Sequence, residues 1–326
     1  MAIEDDVCVI GGGLAGVTAA IAASRGGART RLITYKENTL RNASGLIDVL
    51  GYHGSDEPIA EPLSAISDLP DEHPYHRVGV DAVRKALALF DEITGDLYEG
   101  SHTEKNALCP TCSGKIKPTS RYPKSVSAGL ASRPESTLLV GFETVTDFDA
   151  PLSAARLDST VPFTVRGVTI PFPGEFRADA RITRMARALD ADERTEREAR
   201  VGTREALADR VSEHLGDAER VGFPALLGDD EHHEVCEDLE EALERPVFEI
   251  PMGPPSLPGM RVEERLYDAL EAKGVRVESG NPVVDYAAEN GRVSEIYVDR
   301  GRRRVPYHAG QFVLATGGLV GKGIDS

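Results

Sequence analysis

The stretch Val7-Cys8-Val9-Ile10-Gly11-Gly12-Gly13-Leu14-Ala15-Gly16 constrains the fold more than any other part of the chain. Val7 to Ile10 is short, apolar and partly β-branched, which predicts a buried parallel strand. The glycines follow at once. Residues 17–24, rich in alanine, predict a helix closed by Gly26-Gly27, and residues 31–35 predict a second strand. Strand, tight turn, helix and strand make one βαβ unit suited to phosphate. Gly11 lets the chain reverse, Gly13 has no Cβ to keep a phosphate off the backbone, and Gly16 lets the helix pack closely on the strand. The N–H groups opening the helix, around Leu14 and Ala15, and the helix dipole then face the anion. One part of the usual fingerprint is absent. Strand two ends at Thr34-Tyr35 with no carboxylate to hold a ribose, and Glu37 lies beyond it. A phosphate contact at Gly11, Gly12, Gly13, Leu14, Ala15 and Gly16 is therefore expected, with the ribose contact at Thr34 left open.

The far end supplies a second signal. Val262, Leu266 and Leu270 stand four apart and predict a helix over 260–272, closed by Gly274. Short strands over 275–277 and 283–286 follow, and Asn290-Gly291 marks a hairpin turn. Val293, Ile296 and Val298 form the returning strand; 302–307 reads as another short strand and 312–315 as a buried one. The chain then reaches Thr316-Gly317-Gly318. Helix, strand, β-meander and a strand ending in Ala-Thr-Gly-Gly resemble the second half of the FAD-dependent oxidoreductase fold. That resemblance implies that Thr316, Gly317 and Gly318 bring backbone close to a flavin beside the first glycine loop. The expected class is α/β: a glycine-rich βαβ flavin-binding domain of the three-layer, FAD-dependent oxidoreductase type, with an inserted α+β domain. Its parts are expected at 1–60, 61–255 (a cap or substrate domain) and 256–326.

A narrower resemblance runs along nearly the whole chain. Asn42-Ala43-Ser44-Gly45-Leu46-Ile47-Asp48, His73-Pro74-Tyr75, Gly141-Phe142 to Asp147-Phe148, Glu175-Phe176-Arg177-Ala178, Phe223-Pro224-Ala225 and the run from Pro251 through Pro254-Pro255-Ser256 and Gly259 to Arg261 are similar to segments of the B subunit of anaerobic glycerol-3-phosphate dehydrogenase. That family also lacks an acidic residue where this chain has Thr34. The resemblance implies an enzyme of three different polypeptides: a flavin-bearing pair, the A and B subunits, and an iron–sulfur C subunit that tethers them to the membrane. It implies oxidation of glycerol 3-phosphate to dihydroxyacetone phosphate, with electrons passed to quinone. It implies FMN as cofactor, FAD being the alternative that the glycine loop supports equally, and adds Ser44 and Gly45 to the flavin contacts. The family pattern also runs on past Ser326 with a further C-terminal part that closes the flavin domain, which implies either that this sequence is a fragment or that the gene is truncated.

Composition narrows the rivals. Lys and Arg number 37 against 54 Asp and Glu, a net charge of −17, which opposes binding to nucleic acid or to anionic lipid. Only 8 of the 37 basic residues are lysine, and with no tryptophan and many carboxylates the balance suggests a salt-adapted protein. No run is long and apolar enough to span a bilayer, and MAIEDD lacks the basic and apolar parts of a secretion signal. A cytoplasmic protein is expected, associated with the membrane only through a partner polypeptide.

The middle of the chain offers candidates of lower specificity. Residues 80–93 predict an amphipathic helix, 138–140 a strand, and 181–189 and 203–215 helices, with a solvated charge run over 191–200. Cys109-Pro110-Thr111-Cys112 is half of a redox or zinc motif and reads as a loop. Glu231-His232-His233-Glu234 reads as a solvated acidic loop rather than a metal site. Lys117, beside Lys115, offers a cation for a reduced flavin or a substrate phosphate; His73 offers a proton acceptor; Arg261 offers an anion contact at the start of the last helix. These three are the catalytic candidates. The rival functions are a fumarate-reductase-like FAD oxidoreductase, for which no arginine cluster stands out, and a flavin-fold scaffold that only holds its partner.

Overall fold

The computed structural model describes residues 3–35, 39–174, 181–192 and 202–318. Glu37, the Glu175 to Ala178 segment, the charge run beyond Asp192 and the last residues lie outside the described residues. The chain divides into two units, one of residues 1–41, 85–95 and 262–326 and one of residues 42–84 and 96–261. The first segment thus ends at 41 rather than 60, and residues 85–94 of the helix Val80–Thr94 belong with the glycine-rich end.

The first unit carries a six-stranded sheet. β1 (Ile3–Ile10), α1 (Leu14–Arg25) and β2 (Thr30–Thr34) form the expected βαβ unit, with β1 and β2 parallel. Val9, Leu32 and the helix residues Val17, Ala20 and Ile21 are fully buried; this one-sided apolar pattern holds α1 to the sheet. Gly26 ends the helix. Beyond β2 lies Arg276–Ser279, and on the other side of β1 lie Arg304–Leu314, Arg292–Asp299 and Val283–Glu289 in that order. Asn290 and Gly291, both at positive φ, make the hairpin turn between the last two.

Two expectations change here. The separate strands over 302–307 and 312–315 are one strand of 11 residues, Arg304–Leu314. Its first half pairs antiparallel with Arg292–Asp299, while β1 pairs with it in parallel from Tyr307 to Leu314, so the polar stretch around His308 and Gly310 does not interrupt it. Its end is not buried either: Phe312 and Val313 are half-buried and Leu314 is 75% exposed.

The second unit is built on a four-stranded, wholly parallel sheet, in the order Val247–Ile250, Arg220–Pro224, Thr137–Phe142, Val165–Ile170. Helices Ala150–Asp158, Ile182–Asp190, Thr203–Ser212 and His232–Leu243 lie in the connections. Strands covered on both faces are buried along their length, and Thr137–Phe142 and Arg220–Pro224 are buried at every residue. The main body of this inserted unit is therefore α/β in its connectivity. The antiparallel pairing of an α+β domain is confined to two small ribbons, Tyr98–Glu99 with Tyr122–Pro123 and Ala107–Pro110 with Ile116–Thr119.

Candidate functional site

β1 ends at Ile10, and the chain turns before α1 begins at Leu14. Gly11 has φ +118°, which side chains rarely tolerate, and its N–H donates to the Ile33 carbonyl oxygen at 2.8 Å. A Cβ on Gly11 would lie 2.1 Å from the Ala315 carbonyl oxygen and 3.0 Å from the Thr316 amide nitrogen. The Ala315 N–H in turn donates to the Ile10 carbonyl oxygen at 2.8 Å. The two glycine-bearing turns, from opposite ends of the sequence, therefore meet at the carboxyl ends of adjacent parallel strands. A Cβ on Gly16 would lie 1.8 Å from the Gly11 carbonyl oxygen, so the helix packs as closely as expected.

Gly13 is different. Among the described residues the nearest atom to a Cβ there would be Thr39 Oγ1 at 3.9 Å, and a Cβ on Gly317 or Gly318 would meet nothing within 4 Å. Helix α1 starts at this bare stretch with no side-chain cap on Gly13 and no acidic residue in its first turn. Its leading N–H groups and dipole are left to attract an anion. Uncapped helix N–H groups beside three side-chain-free positions fit a flavin phosphate. Among the described residues no carboxylate closes β2: Thr34 ends the strand, and its Oγ1 lies 2.7 Å from where a Gly12 Cβ would be. Gly11, Gly12, Gly13, Leu14, Ala15, Gly16, Thr34, Thr316, Gly317 and Gly318 all belong to the first unit, and close approach joins Gly11 to Thr316, Gly12 to Thr34 and Gly16 to Gly11.

The remaining candidates belong to the second unit. The Ser44 hydroxyl accepts the Leu46 N–H at 3.3 Å. Gly45 has φ +81°, and its carbonyl oxygen accepts the Tyr98 hydroxyl at 2.6 Å. His73 caps the short helix Pro74–Val78, its Nδ1 accepting the Tyr75 N–H at 3.1 Å. Lys117 Nζ is 2.6 Å from Asp48 Oδ2 in a partly exposed ion pair. Arg261 requires correction. It is 6% exposed, pairs with the fully buried Glu249 at 2.6 Å and donates to the Gly228 carbonyl oxygen, so its charge is spent inside the protein. Ser125 Oγ and the Leu227 N–H complete the shell around Glu249.

The histidine pair also differs from expectation. Residues 232 and 233 open the helix His232–Leu243 rather than sit in a loop. The Asp190 carboxylate accepts the N–H groups of Asp229, Asp230 and Glu231 just ahead of it, which anchors the helix start from within. His232 is buried, and burial, together with the nearby Arg261 guanidinium, holds its imidazole down to about 3. Cys109 is buried, its thiol pushed up to about 12 by burial, and Cys112 is half-buried; both are free thiols. Among the described residues no group of three His, Cys, Asp or Glu could hold a metal ion.

One site residue escaped the sequence analysis. Tyr267, on the helix Leu257–Ala272, donates its hydroxyl to the Gly12 carbonyl oxygen at 3.1 Å. Its only signal is its place directly after Leu266 in the apolar stripe, and nothing in that stripe says which way a tyrosine hydroxyl reaches.

The chain matches the family described as FAD binding domain over residues 6–326. It is 57% identical over 333 residues to a probable B subunit of anaerobic glycerol-3-phosphate dehydrogenase from Halobacterium salinarum, covering 100% of this chain and 77% of that protein. It is 30% identical over 339 residues to the B subunit of anaerobic glycerol-3-phosphate dehydrogenase from Pectobacterium atrosepticum, covering 98% and 76%. Among solved structures it is similar to 3-ketosteroid delta1-dehydrogenase from Sterolibacterium denitrificans (TM-score 0.42, 14% identity, 96% of this chain and 48% of that one). Glycine oxidase from Geobacillus kaustophilus is another (TM-score 0.33, 13% identity, 98% and 56%). The chain spans about half the length of these two structures.

Proposed function

This chain belongs to the family of the B subunit of anaerobic glycerol-3-phosphate dehydrogenase, and on that premise we propose that it carries the flavin of an enzyme that oxidises glycerol 3-phosphate to dihydroxyacetone phosphate and passes the electrons to quinone. The observation that carries this reading is the meeting of Gly11 with Ala315 and Thr316 beside the open backbone of Gly13. When bound, the flavin would supply the redox chemistry, taking up electrons from the catalytic partner and handing them on. The chain supplies binding and orientation: the N–H groups at Leu14 and Ala15 for the phosphate, and the bare backbone of Gly317 and Gly318 for close approach to the ring. The flavin is FMN on this reading. FMN has one phosphate and no adenosine, and β2 ends in Thr34 rather than a ribose-binding carboxylate.

The partners are a catalytic A subunit plus an iron–sulfur C subunit that anchors the complex to the membrane. The relatives' designation as B subunits supports an enzyme of several polypeptides. Among the described residues no helix is long and apolar enough to cross a membrane. Within the complex this chain relays electrons from the catalytic partner. In support, His73 caps a helix, Lys117 is paired with Asp48 and Arg261 with Glu249, so each of the three catalytic candidates is already engaged.

Two measurements test the proposal. Flavin released from the purified chain by heat and separated chromatographically is expected to be FMN; FAD would overturn the cofactor choice, and no flavin would overturn the assignment as a whole. The chain alone, mixed with glycerol 3-phosphate and a dye acceptor, is expected to bleach slowly. Fast bleaching would show that it oxidises the substrate itself.

A further inference from the structure

We propose that Tyr267 is a cofactor-positioning residue, holding the peptide between Gly12 and Gly13 so that the Gly13 N–H faces the flavin phosphate. The inference rests on the flavin reading above. A run of three glycines has the largest freedom a backbone can have, and a loop that must be ordered on binding loses affinity by that ordering. The flanks of this run are held by the backbone: Gly11 donates to the Ile33 carbonyl oxygen at 2.8 Å and lies against Ala315, and Gly16 lies against the Gly11 carbonyl oxygen. The Gly12–Gly13 peptide is held by a side chain, with the Tyr267 hydroxyl donating to the Gly12 carbonyl oxygen at 3.1 Å.

In a trans peptide the carbonyl oxygen and the following N–H point in opposite directions. Pinning the Gly12 oxygen toward Tyr267 turns its negative end away from an anion and aims the Gly13 N–H to the other side. Gly13 is also the glycine of the run where a Cβ would meet nothing closer than 3.9 Å. Tyr267 is itself well placed to act as a pin. Leu266 beside it is fully buried, Arg265 donates to the Thr94 carbonyl oxygen at 3.2 Å, and Glu263 pairs with Arg41, so the helix cannot turn freely about its axis. A Cβ on Gly12 would lie 2.6 Å from the Tyr267 hydroxyl, so the pin also requires glycine at that position.

The test compares FMN with riboflavin, which lacks the phosphate. Purified chain is stripped of flavin and titrated with each ligand as wild type, as Tyr267→Phe and as Gly13→Ala; FAD replaces FMN if FAD is the flavin released. Tyr267→Phe is expected to weaken FMN binding by about 2- to 10-fold, the loss of one hydrogen bond, while riboflavin binding stays unchanged. Unchanged FMN affinity, or an equal loss for both ligands, overturns the proposal. Gly13→Ala has room to fold and is expected to weaken FMN more than riboflavin. If Gly13→Ala does so and Tyr267→Phe does not, the phosphate site stands and the role of Tyr267 falls. If neither does, the phosphate site falls. Should Tyr267→Phe not fold, Tyr267→Met, an adaptable filler without a donor, is read in its place; failure of both to fold assigns Tyr267 to packing and overturns the proposal.

Discussion

Arg261 and Glu249 are buried together, and among the described residues Arg261 Nε has no hydrogen-bond acceptor. Removing one member of such a pair strands the other charge in a low-dielectric interior, at a cost of about 3–5 kcal/mol, whereas replacing both with apolar residues costs far less. Arg261→Met and Glu249→Leu are therefore each expected to lower the urea midpoint sharply, and the double variant less than the two together; additive losses would show that the two side chains act separately. His232 gives a pH signature in the same unit. Burial and Arg261 depress its folded value to about 3, with Glu249 opposing, while the unfolded chain titrates near 6.5. Below about pH 6.5 the unfolded state takes up a proton that the folded state refuses, so this contribution to stability is present at neutral pH and lost as pH falls toward 3. His232→Gln is expected to flatten the fall in unfolding free energy between about pH 7 and pH 5. An unchanged slope in that variant would mean that His232 titrates normally.

At the scale of elements, the glycine turn and α1 were legible because every determinant is local: an apolar run, glycines at fixed offsets, an alanine-rich helix and a glycine stop. The structure adds how little space is left. Gly16→Ala places a methyl 1.8 Å from the Gly11 carbonyl oxygen, a backbone atom that cannot swing aside. It is expected to lower stability by about 1–3 kcal/mol, read as a fall in melting temperature; an unchanged melting temperature would mean that α1 can shift away from β1. The strands of the second unit were mostly not legible. Arg220–Pro224 and Val247–Ile250 carry Arg220 and Glu249, charged residue types that are rarely buried. Both are buried because distant groups satisfy them. Arg220 donates to Thr137 Oγ1 at 2.7 Å and to the carbonyl oxygens of Ala128, Leu130 and Arg133, and its guanidinium lies over the rings of Phe163 and Phe248. Window-by-window periodicity cannot see partners so far away along the chain.

For the molecule as a whole, the net charge of −17 is the dominant electrostatic fact. Like charges spread over a surface repel, and raising ionic strength from about 0.1 M to 1 M shortens the screening length from about 10 Å to 3 Å. Salt also weakens attractive surface pairs such as Arg25–Glu92 and Arg29–Asp6, but carboxylates outnumber cations, so the net effect is stabilising. The melting temperature is expected to rise with KCl over that range. A fall would show that the attractive pairs outweigh the excess of negative charge. The division into two units belongs to this scale as well. Its first boundary falls at 41 rather than near 60, and part of the helix Val80–Thr94 joins the glycine-rich unit, because packing rather than composition sets it.

By itself the sequence determined the phosphate-binding turn, the α/β class and the meander that closes the chain, since glycine placement and apolar spacing act within a few residues of one another. Tertiary structure alone decided that Ala315 lies against Gly11, that Tyr267 grips Gly12, and that Arg261 turns inward to Glu249 rather than outward to a ligand. Each of these depends on parallel pairing or on side-chain reach between parts of the chain that no local pattern connects.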